Sequence, residues 1–99
     1  MVDIKNLLKT TDLPVAYHHY EEPPKPPYIV YLFLDSDNFG ADDKVFYKIN
    51  NYQVELYTTK KDPVSEKLIE DVFDNNDIFY EKTEVYIEGE KLYQVMYQL

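Results

Sequence analysis

The spacing of apolar positions changes several times along the chain, and each change marks an element. Ile4, Leu7 and Leu8 recur at helical spacing just after Asp3, a residue type that caps helix N-termini. They predict a helix of about two turns, closed by the turn-forming run Thr10-Thr11-Asp12 and by Pro14. So short a helix does not persist alone in water, so it must dock on something. Residues 15–20 read as a short edge strand. Residues 21–27, EEPPKPP, contain four prolines. Such a stretch is stiff and poor in backbone donors, which suits a rigid connector and an edge guard better than a ligand for proline-binding modules.

Residues 28–35 read as a strand whose apolar residues run on without alternation, the mark of a central strand covered on both faces. A turn-rich loop follows over residues 35–43. Residues 44–58 then read as one long strand with a break in phase. Val45, Tyr47 and Ile49 share one parity, whereas Tyr52, Val54 and Leu56 share the other. The slip at Asn50-Asn51 is read as a β-bulge in preference to a two-residue hairpin. Asp62-Pro63 is a helix start, with a capping carboxylate and proline at the first helical position. In that helix Val64, Leu68 and Val72 form one stripe, with Ile69 and Phe73 beside it, until Asp74-Asn75-Asn76-Asp77 ends it. Residues 78–87 and 91–99 form a hairpin about Glu88-Gly89, with Phe79, Thr83, Val85 and Ile87 on one face and Tyr80, Lys82, Glu84 and Tyr86 on the other. The element order is α-β-β-β-α-β-β. It describes a single α+β domain over residues 1–99, with one antiparallel sheet of about five strands, mixed pairing left open, and two helices packed on it.

Composition narrows the function classes. Nineteen acidic residues face ten basic ones, all lysine, for a net charge of −9. A nucleic-acid reader needs a basic stripe and usually arginine. This chain has neither, so direct nucleic-acid binding is not expected, and acidic lipid surfaces are disfavoured for the same reason. No cysteine is present, which excludes disulfides, thiol nucleophiles and thiolate metal sites. No run is long and apolar enough to span a bilayer and no secretory signal pattern opens the chain, so a soluble protein made in the cytoplasm is expected. Eleven tyrosines and five phenylalanines without tryptophan suit both half-buried strands and protein interfaces.

The candidate chemical sites are sparse. His18 and His19 are neighbours on the expected first strand, where they would point to opposite faces and could not share a metal. The loop Asp35-Ser36-Asp37-Asn38-Phe39-Gly40 partly imitates a calcium loop, but Phe39 stands where a ligand oxygen belongs and Phe46 where a bidentate glutamate belongs. The two serines, Ser36 and Ser65, lack a nucleophile setting, and Gly40 and Gly89 make no phosphate cradle. No enzyme, metal or cofactor is therefore expected. The candidate contact residues are Asp35, Asp37, Phe39, Asp42 and Asp43 of the acidic loop, with Phe39 as its apolar tip, together with Tyr28 and Tyr31.

Three segments, PPKPPYIVYL (residues 23–32), DSDNFGADDKVFYKINNYQVELYTTKKDP (35–63) and NDIFYEKTEVYIEGEKLYQVMYQL (76–99), resemble in their order the small tail-completion, tail-terminator or minor head–tail joining proteins of tailed phages and prophages of Gram-positive hosts. The resemblance implies a tail-terminator-like fold. It also implies a homo-oligomeric ring, often hexameric, that caps the tail tube and meets the head connector or adaptor protein. The protein would then occupy the host cytoplasm during assembly and the virion tail or neck afterwards. An acidic, arginine-free ring would let DNA pass without gripping its phosphates, over a range that salt screening limits to about 8–10 Å. The alternative from another class is an acidic DNA mimic or adaptor that binds a host or phage protein, for which the same charge serves.

Overall fold

The computed structural model describes residues 3–34 and 52–99. The acidic loop 35–43, the first half of the long strand and its break at Asn50-Asn51 lie outside the described residues. The elements run α1 (Ile4–Lys9), β1 (Val15–Tyr17), β2 (Tyr28–Phe33), β3 (Tyr52–Thr58), α2 (Pro63–Asn75), β4 (Glu81–Ile87) and β5 (Leu92–Gln98). Among the described residues the strands form one sheet in the order β1-β2-β3-β5-β4. β1 runs parallel to β2, and the other neighbours pair antiparallel. The fold is thus α+β, with a mixed sheet.

Both helices are started by carboxylates. Asp3 accepts from the backbone N–H groups of Lys5 and Asn6, and Asp62 accepts from the Ser65 N–H at 3.1 Å and from the Ser65 hydroxyl at 2.8 Å. These bonds satisfy donors that the first helical turn leaves without a partner. Pro63 at the head of α2 gives up only an N–H that the helix does not use.

The registers explain the core. Ile29 pairs with Leu56 and Tyr31 with Val54; Val54 in turn pairs with Tyr97, and Leu56 with Val95. All six side chains fall on one face of the sheet, and they form a single buried cluster with Ile4 and Leu8 of α1, Ile69 and Phe73 of α2, and Ile78. Both helices therefore cover the same face. Phe73 sits at the centre of an aromatic group, with its ring centroid 5.5 Å from that of Tyr97 and 5.2 Å from that of Tyr80.

β2 is covered on both faces, as its unbroken apolar run requires: Tyr28, Ile29, Val30 and Tyr31 are all buried. The second cover is the connector between β1 and β2. A parallel pair needs a crossover, and here the crossover is the proline-rich segment. It passes over the face opposite the helices, where the Tyr20 ring packs edge-on against Tyr28 at 5.4 Å and Tyr28 stacks on Tyr57 at 5.1 Å. The connector thus covers part of a sheet face through Tyr20, while the edge itself is β1.

Three expectations change. The first strand ends at Tyr17 because His18 takes a left-handed backbone, φ 71°, so the alternation argument for the two histidines fails. Their Nδ1 atoms lie 3.2 Å apart. The stripe Val64, Leu68, Val72 is not the face that α2 buries. Ser65, Glu66, Ile69 and Phe73 point inward, while Val64 and Leu68 are exposed. The last hairpin begins at Glu81 rather than residue 78, because Ile78 and Tyr80 are drawn into the core before ladder pairing starts. Its four-residue turn, 88–91, closes with Lys91 in the left-handed region at φ 56°.

Candidate interaction surface

The helix-covered face changes character toward β4. Opposite Tyr97 and Val95 of β5 stand Lys82 and Glu84, not apolar side chains. α2 meets them with Glu66 and Glu70. Glu66, only 4% exposed, contacts Lys61 and Lys82, each at 2.8 Å. Lys82 also reaches Glu70 at 2.7 Å, Tyr97 donates its hydroxyl proton to Glu70 at 2.8 Å, and Lys61 bonds Glu84. The network joins α2 to both strands of the last hairpin. Burial alone would raise the Glu66 pKa, but bonds from two ammonium groups outweigh it and hold the carboxyl below its usual range. Hydrogen bonds to Glu66 and Glu84 push Lys61 up. Burial, reinforced by the bond to Glu70, pushes the Tyr97 phenol well above its ordinary value.

Among the described residues no helix covers the opposite face over β3, β5 and β4, and it carries a polar ladder. Gln53 donates to Glu55 at 2.6 Å, Tyr57 donates to the other Glu55 oxygen at 2.7 Å, and Gln94 donates to the Tyr57 hydroxyl at 2.8 Å. Burial against Tyr28 and the bond to Glu55 raise the Tyr57 pKa. A groove of about 310 Å³ lies beside this face, between Pro26-Pro27 and the turn from Thr58 to Asp62. Its Lys61 is committed to the network described above.

Exposure concentrates at β4. Six of its seven residues are exposed, and Phe79, just ahead of it, is 81% exposed. With Val85 and Tyr86 also exposed, this edge and the residue ahead of it carry three of the accessible large apolar side chains of the described residues. Among the described residues its backbone is open as well. The Leu99 N–H bonds the Tyr52 carbonyl at 3.0 Å, which makes Tyr52 and Leu99 a hydrogen-bonded pair. By the alternation of antiparallel ladders, Leu92, Gln94, Met96 and Gln98 then turn their backbone groups to β4. Glu81, Thr83, Val85 and Ile87 answer them, which leaves the N–H and C=O groups of Lys82, Glu84 and Tyr86 facing outward.

Of the residues singled out from sequence, Asp35, Asp37, Phe39, Asp42 and Asp43 lie outside the described residues. Tyr28 and Tyr31 are described and both are buried, on opposite faces of β2, Tyr28 under the connector and Tyr31 in the core. Neither presents its ring to solvent. The β4 edge received no role from sequence, although the residue pattern from Phe79 to Ile87 already carries its signal. His18 and His19 are brought together, but no group of three or more ligating His, Cys, Asp or Glu side chains forms among the described residues. No described helix is long and apolar enough to cross a membrane. Comparison with protein-family models, with curated proteins and with solved structures found no match.

Proposed function

We propose that this chain is a structural assembly subunit that acts by binding protein. The observation that carries the reading is the β4 edge, where accessible Phe79, Val85 and Tyr86 adjoin backbone donors and acceptors that have no ladder partner among the described residues. An exposed edge of this kind is a template for strand addition unless something covers it. The specific form proposed is a tail-completion or head–tail joining subunit of a tailed phage or prophage, in contact with the tail tube and the head connector. Its support is the ordered resemblance of residues 23–32, 35–63 and 76–99, together with an acidic, arginine-free composition suited to a passage for DNA.

Four carboxylates, those of Glu66, Glu70, Asp71 and Glu84, are paired with lysines of the same chain and so are not free for the outward array a nucleic-acid mimic needs. The test is a phage carrying the gene and the same phage without it. Overlong or headless tails in its absence, and capture of tube protein by the purified chain, are the expected results. Normal virions without the protein would overturn the phage reading.

A further inference from the structure

We propose that β4 is a self-pairing edge: two copies join antiparallel through it about a two-fold axis at Thr83, making one continuous sheet. The inference deepens the assembly reading by naming the first partner as a second copy of this chain; a two-fold pair closes on itself, so this contact is distinct from the head-to-tail contacts of the ring that the resemblance implies. It begins from a symmetry in the residues. Folded about Thr83, the segment FYEKTEVYI (79–87) sets Lys82 against Glu84, Glu81 against Val85, Tyr80 against Tyr86 and Phe79 against Ile87. Each of these pairs occurs twice across a two-fold axis, as an isologous interface requires.

The structure supplies the conditions this pairing needs. Lys82 and Glu84 are the edge residues whose backbone groups face outward, so they meet as hydrogen-bonded pairs, and Thr83 meets its copy as a non-hydrogen-bonded pair. On the helix-covered face, Lys82 of one copy comes opposite Glu84 of the other. Both side chains are about a third exposed, 35% and 34%, and so have room for a further partner. The ion network Glu66–Lys82 of one protomer then continues into Glu84–Lys61 of its partner. On the opposite face, Phe79 gains Ile87 as its neighbour, which covers a ring that is 81% exposed in the single chain. The two neighbouring two-fold registers fail. Centring the pairing on Glu84 sets two carboxylates directly opposite each other, and centring it on Lys82 does the same with two ammonium groups, both unfavourable.

Sedimentation over a dilution series gives the first test. The expected species is twice the 11.9 kDa chain mass, with Thr83→Lys reduced to the single-chain mass because it sets two ammonium groups together at the axis. Thr83 is exposed and contributes nothing to the core, so the variant keeps its circular dichroism spectrum. The cysteine-free chain permits a register test independent of that variant. Thr83→Cys places two thiols at the close approach of a non-hydrogen-bonded pair and should cross-link on oxidation. Glu81→Cys alone should not, but should cross-link when mixed with Val85→Cys. A wild-type chain that stays monomeric, an oligomer unaffected by Thr83→Lys, or Glu81→Cys cross-linking to itself as readily as Thr83→Cys would each overturn the proposal. A monomer that still captures tube protein would sink the dimer and leave the assembly reading standing. A dimer that binds no virion component would do the reverse.

Discussion

Glu66 shows how much one side chain can decide. A carboxylate this buried is tolerated only because Lys61 and Lys82 both reach it, and losing a partner from a buried pair is usually more costly than the pair was helpful. Glu66→Gln keeps the shape and removes the charge. Because the two lysines are partly exposed and retain Glu84 and Glu70, the loss is placed below the fully buried case, at about 1–3 kcal/mol. Asp71→Asn, which breaks the exposed Lys67–Asp71 pair on the same helix, should cost under about 0.5 kcal/mol. Urea denaturation of the two variants checks the order, and equal losses would refute the role given to Glu66. Lys91 offers the opposite case. Its left-handed backbone at the hairpin turn strains any side chain bearing a Cβ, so Lys91→Gly should stabilise the fold by up to about 1 kcal/mol. An unchanged or lower urea midpoint would count against that assignment.

Among the elements, α1 is the clearest case of a helix made by its surroundings. Its six residues are far too few to be stable alone, and it stays because Ile4 and Leu8 enter the core. Leu8→Ala should cost about 2–5 kcal/mol, and hydrogen exchange should show α1 released before the sheet; uniform protection loss would refute that order. This helix was legible from Asp3 and the spacing of three apolar residues. So were α2's start at Asp62-Pro63, the continuous apolar strand β2 and the two-faced pattern of the last hairpin, because each depends on local spacing. The inward face of α2 was not. Apolar count favours Val64, Leu68 and Val72, but the helix turns Glu66 inward because lysines from the preceding turn and from β4 neutralise it, and that pairing exists only in three dimensions. The end of β1 at Tyr17 and the packing of Tyr20 from the connector on Tyr28 are likewise tertiary facts. The candidate surface was half legible. The outward row of Phe79, Thr83, Val85 and Ile87 could be read as a face, but only the sheet order β3-β5-β4 shows that this strand is an edge.

At the scale of the whole molecule, the titrating groups bound a pH window, and the two ends have different owners. Glu66 is held below its ordinary pKa, so its contribution is complete above the normal carboxylate range and is lost as pH falls through its depressed value. Tyr57, Tyr97, Lys61 and Lys82 are all held above theirs. Their contributions are complete below about pH 10, the ordinary phenol and ammonium range, and are lost as pH rises beyond it. Stability should therefore be flat from about pH 5 to about pH 9 and fall on both sides. Tyr97 dominates the alkaline limb, since its phenol is fully buried and bonded to Glu70. Tyr97→Phe removes the group that must ionise, at a cost of about 1 kcal/mol near neutrality for the lost hydrogen bond. The variant should thus start lower and decline less steeply above pH 10, so that the two stability curves converge as pH rises. Thermal melts across the range, read with tyrosinate absorbance, measure this directly. Parallel alkaline limbs in the two proteins would show that the Tyr97 phenol titrates alike in the folded and unfolded chain, and would move the alkaline sensitivity to Tyr57 and the lysine pairs.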